Sequence, residues 1–96
     1  MNRKQIIKEV LRMIESAKTC NKCVITEAFY GVSKVKEIIK ALQEKLGEDW
    51  AYSEEENTIY LERTEPYLLL GFYGEYYGKI PVIRVMLKNY QKEEKE

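Results

Sequence analysis

The sequence predicts an α+β domain, two to three helices packed on an antiparallel β-meander, and three observations carry that expectation. Apolar residues recur at helical spacing up to Gly47. From Trp50 onward they alternate at period two, interrupted by turn residues. The charge divides at the same place. Lysine and arginine outnumber glutamate before Glu48, carboxylates outnumber cations after it, and a formal net charge of zero conceals the dipole.

The first helix begins at Asn2, with Gln5 in the capping-box position three residues on. Ile6, Ile7, Val10, Leu11 and Ile14 form its apolar stripe, which runs out near Ala17 or Lys18. In the next segment Thr26 reads as the cap of one short helical turn, with Glu27 in its first turn and Gly31 as a left-handed stop. Ser33 is expected to cap a longer helix with stripe Val35, Ile38, Ile39, Leu42 and Leu46, ended by Gly47.

Trp50 to Ser53 and Thr58 to Arg63 read as strands joined by the charged turn Glu54 to Asn57. Tyr67 to Tyr77 is a third strand, and Gly78-Lys79 turns it into a fourth, Ile80 to Tyr90. Pro81 fits a sheet edge or the first paired position of that strand, because it has no amide hydrogen to donate. Gly71 and Gly74, within the third strand, suggest a bulge or bend. Residues 1–90 form one domain, and the charged tail 91–96 is expected to fray.

Composition narrows the function classes. Ninety-six residues, 45% of them apolar, suffice for a single two-layer core. No apolar run approaches the ~18 residues a membrane span needs. The amino-terminal stretch is amphipathic and unlike a signal peptide, so a cytoplasmic protein is expected. Charged residues, chiefly Lys and Glu, make up 33% while amides are scarce, a bias shared with thermophile proteins. Histidine is absent, which removes the commonest general base and metal ligand. There is no Gly-rich phosphate loop either, so neither an enzyme nor a cofactor is expected.

Cys20 and Cys23 form a C-x-x-C. A thioredoxin-type dithiol opens a helix after a strand, whereas this pair follows a helix, so catalytic redox chemistry is not expected. Zinc needs four ligands, and one chain offers two thiolates, so a site of four cysteines would need two chains. Ordinary thiols or a local disulfide remain.

The order helix, short helix, longer helix and charged hairpin resembles the winged helix-turn-helix superfamily over Asn2 to about Thr64. The resemblance implies that Ser33 to Leu46 is the recognition helix, with Ser33, Lys34, Lys36 and Lys40 toward duplex DNA and Glu54 to Asn57 at the tip of the wing. Phosphate would repel the three glutamates of that tip, so the wing is expected to point away from DNA or to face a protein. A small DNA-binding regulator follows from the basic half.

The acidic half supports an alternative. Seven of the eight tyrosines follow Ala51. Period two places Tyr67, Leu69, Tyr73 and Tyr77 on one strand face, matched by Val82, Arg84, Met86 and Lys88 on the next. Such a mixture resembles the core of a protein interface. The DNA-binding reading expects a homodimer through this sheet face or the first helix. The alternative is an adaptor or assembly subunit with no nucleic-acid role. The interface residues expected are Tyr67, Tyr73, Tyr77, Arg84 and Met86.

Overall fold

The computed structural model describes residues 2–20 and 22–89. Two helices and five strands follow one another as α1 (Arg3–Lys18), β1 (Cys23–Tyr30), α2 (Val35–Leu46), β2 (Trp50–Glu55), β3 (Thr58–Thr64), β4 (Tyr67–Tyr77) and β5 (Ile80–Asn89). The strands form one antiparallel sheet in the order β1-β5-β4-β3-β2. The fold is α+β, with both helices on one face of the sheet.

Helix α1 begins as its sequence dictates. The Asn2 side chain accepts from the Gln5 amide at 2.9 Å, and the Gln5 side chain accepts from the Asn2 amide at 3.2 Å. This reciprocal pair satisfies two donors that a helix start otherwise leaves open. Ile6, Ile7, Val10, Met13, Ile14 and Ala17 are buried. They meet Phe29, Ile39, Leu42, Leu61, Leu70, Phe72, Val85 and Leu87 in one core. Alternation along the strands sends these apolar side chains to the helices and their neighbours to the opposite face.

The segment expected to form a short helix is instead strand β1. Thr26, Glu27 and Gly31 imitate a helix start and stop, but Val24, Ile25 and Thr26 are a β-branched run that suits a strand. Pairing decides the matter, because all eight residues of β1 align with β5, from Cys23 opposite Asn89 to Tyr30 opposite Val82. A strand therefore stands between the two helices, and the three-helix layout behind the winged-helix resemblance is not the observed one. Gly31 does take a positive φ of 70°, but it ends a strand.

Ser33 does not cap α2. The N-cap is Lys34, in the left-handed region at φ 56°, without a side-chain capping bond. Gly47 ends the helix as expected, its amide donating to the Gln43 carbonyl at 2.9 Å. The glycines of β4 mark no bulge, since its register with β3 and β5 is unbroken. Pro81 lies just past the point where β1 stops pairing with β5, and its carbonyl accepts from the Gly31 amide at 2.7 Å. Tyr90, assigned to the last strand from sequence, and the charged tail lie outside the described residues.

Candidate functional site

The face of the sheet turned away from the helices carries no second layer among the described residues. Its composition follows from register. Gly71 of β4 is paired with Tyr60 of β3 and with Met86 of β5, and Met86 is in turn opposite Thr26 of β1. One row over, Tyr73 lies opposite Thr58 and Arg84. On the other side, Leu69 lies opposite Glu62 and Lys88.

The centre of this face is a packed aromatic patch. Gly71 has no side chain, and the Tyr73 ring fills the space above it: a Cβ on Gly71 would meet Tyr73 Cε1 at 2.8 Å. Tyr60 approaches Tyr73 edge to face, with ring centroids 6.3 Å apart. A hydrogen bond with Tyr73 raises the pKa of the Tyr60 hydroxyl above the ordinary tyrosine range. At one end of the face, Tyr30 and Tyr77 form a second edge-to-face pair at 6.3 Å. Val82, opposite Tyr30, is only 3% exposed although it points away from the helices.

Arg84 and Glu75 on this face form an ion pair. Arg84 donates from Nε and Nη2 to the two carboxylate oxygens of Glu75, both at 3.1 Å. This fork holds the Glu75 carboxyl below the usual carboxylate range. Carboxylates (Glu55, Glu62 and Glu75) and cations (Arg84 and Lys88) nearly balance across the face.

All five residues expected at an interface therefore share one surface. Tyr73, Arg84 and Met86 are central and part-buried, with Tyr67 and Tyr77 toward opposite ends of β4. Sequence reasoning missed Tyr60, Gly71 and Glu75, and it missed the β1 contribution of Val24, Ala28 and Tyr30. The alternation of Val24, Thr26, Ala28 and Tyr30 against Ile25, Glu27 and Phe29 was the available signal.

The helical layer has a different character. Ser33 and Lys34 immediately precede α2, Lys36 lies in its first turn and Lys40 midway along it, with Lys34, Lys36 and Lys40 exposed. Ser33 is exposed as well. The charged hairpin does not point away from them. Glu54 lies 3.5 Å from Lys36 Nζ and accepts a 2.6 Å hydrogen bond from the Tyr52 hydroxyl. That bond and the nearby lysines lower the Glu54 pKa, while the same bond pushes the Tyr52 hydroxyl up to about 12. Across the layer, Arg3, Lys4, Lys8, Arg12, Lys18, Lys34, Lys36, Lys40 and Lys45 outnumber Glu9, Glu15, Glu37 and Glu44.

Cys20 and Cys23 are joined as a disulfide across the link from α1 to β1, with Cα atoms 6.0 Å apart. Beside it the Asn89 side chain donates to the carbonyls of Ala17 at 2.6 Å and Cys20 at 2.8 Å, which ties the end of α1 to β5. Among the described residues, no three His, Cys, Asp or Glu side chains are grouped so as to hold a metal ion. No helix among them is long and apolar enough to cross a membrane. Comparison with protein-family models, curated proteins and solved structures gives no match.

Proposed function

We propose that this chain is an assembly subunit that forms a homodimer by apposing the outer faces of two sheets. The observation that carries this function is the contiguous patch of Tyr60, Tyr73 and Met86, ordered around Gly71 and bare of any covering layer among the described residues. Aromatic residues, Met and Arg are the types enriched at protein interfaces, and Arg84 is already held by Glu75. Charge favours the same orientation. Two cationic helical layers repel each other, while two nearly balanced sheet faces do not. Five strands spaced at about 4.8 Å, each some 25 Å long, offer on the order of 500–600 Å² per partner, near the lower bound of a stable interface.

Sedimentation equilibrium at micromolar concentration tests the assignment. The parent chain should self-associate, and Tyr60→Glu should weaken that association at least tenfold by burying an unpaired carboxylate. A parent chain that stays monomeric would exclude it.

The excess of cations on the helices favours a second function, binding of duplex DNA by the layer that such a dimer turns outward. Affinity should then fall steeply with salt as counterions are released, and replacing Lys34, Lys36 and Lys40 with Ala should flatten that slope. Glu54→Ala, which frees Lys36, should leave binding unchanged or strengthen it. Absence of binding at ~50 mM salt, where phosphate contacts are strong, would exclude this second function.

A further inference from the structure

The two edges of the sheet are unlike. The β2 edge ends in Glu54 and Glu55 and runs into Glu56, the kind of charge that keeps an exposed strand from pairing with another chain. The β1 edge, Cys23–Tyr30, has no such guard. It contains no Pro and no Gly, carries Glu27 as its single charge, and is in register with β5 over its whole length. Among the described residues its outer side makes no backbone hydrogen bond to another element. An edge of this length and composition is a template for a further strand.

We infer that β1 pairs antiparallel with β1 of a second copy, about a two-fold axis through Thr26, to give a continuous ten-stranded sheet. Register follows from symmetry and charge. A two-fold axis perpendicular to the sheet keeps both helical layers on one side and sets one residue opposite its own copy. Thr26 and Glu27 flank the middle of the strand, and centring on Glu27 would oppose two like charges. Centring on Thr26 sets Val24 opposite Ala28 and brings Glu27 of the second copy opposite Ile25. There a groove of about 240 Å³ between α1 and β1 is lined by Glu9, Arg12, Met13, Ser16, Ile25 and Glu27. Arg12, exposed at its rim, is already paired with Glu9, so its guanidinium is shared between Glu9 and the incoming carboxylate, while Met13 and Ile25 supply an apolar floor. The occupant is a second copy because, about Thr26, the strand sets Val24 against Ala28 and leaves no two charges directly opposite each other.

This edge contact is independent of the sheet-face dimer, and the two are separable. In a Tyr60→Glu background, which disables the face, sedimentation equilibrium should still detect a dimer at tens of micromolar. Adding Thr26→Lys, at an already exposed position, should weaken that dimer at least tenfold by setting two ammonium groups against each other. In the same background, an equimolar mixture of Thr26→Lys and Thr26→Glu chains should restore it. A monomeric Tyr60→Glu chain would overturn the inference and leave the edge to another protein's strand. So would undiminished association of the Thr26→Lys variant, or failure of the charge-swapped mixture to recover. Failure of the face assignment alone would look different, with Tyr60→Glu harmless and Thr26→Lys damaging.

Discussion

Tyr73 lies across Gly71, two residues earlier on the same strand, so closely that a methyl group on Gly71 would come within 2.8 Å of the ring. The aromatic patch on the outer face depends on that missing side chain. Gly71 leaves a gap between Tyr60 and Met86, and the Tyr73 ring occupies it.

Gly71→Ala should therefore separate folding from surface order. The obstructing atoms are the far end of a side chain on the open face, and Ala costs the unfolded chain less entropy than Gly, by about 0.4–1 kcal/mol. Folding stability should change by less than about 1 kcal/mol in chemical denaturation. The Tyr60–Tyr73 contact should be lost, seen as a shift of the Tyr60 ring resonances, and self-association should weaken. A variant with intact Tyr60 shifts would show that the ring does not need the glycine.

Asn89 holds the end of α1 by donating to two carbonyls, those of Ala17 and Cys20. Asn89→Ala strands part-buried acceptors and should cost about 1–3 kcal/mol. Asn89→Asp should cost as much or more, because a carboxylate cannot donate at neutral pH. Thermal unfolding measures both, and a midpoint lowered by several degrees is expected.

The Tyr52–Glu54 hydrogen bond gives stability a defined pH dependence. The Tyr52 hydroxyl holds its proton to about 12 in the folded chain, above the ordinary value of about 10. A group whose folded pKa is raised binds its proton more tightly when folded. Its contribution is thus full below about pH 10 and is lost as pH rises toward about 12. Glu54 acts in the opposite sense: its lowered pKa adds stability above the ordinary carboxylate range, which is lost on acidification. Tyr52→Phe should flatten the alkaline fall in denaturant midpoint, and an unchanged alkaline slope would mean the bond has no such role.

Much of this was legible in the sequence where the deciding interactions are local. The Asn2–Gln5 box, the Gly47 stop and the Gly78-Lys79 turn each depend on residues a few positions apart. Period two sufficed to put Tyr73, Arg84 and Met86 on one face, because alternation within a strand needs no knowledge of its partner. Strand β1 was not legible in the same way. It is set by pairing with β5, more than fifty residues later, while Thr26, Glu27 and Gly31 locally imitate a helix. The Lys36–Glu54 pair was hidden for the same reason, since it joins a helix to a hairpin tip through the tertiary fold. The fit of Tyr73 over Gly71 depends on a rotamer, which no periodicity encodes.

The most direct test of sheet-face assembly is residue-resolved nuclear magnetic resonance across a dilution series. In the parent chain, concentration-dependent shifts should appear on Tyr60, Gly71, Tyr73, Arg84 and Met86, and Tyr60→Glu should abolish them there. Spectra that do not change with concentration, or changes confined to the solvent side of α1 and α2, would contradict the account.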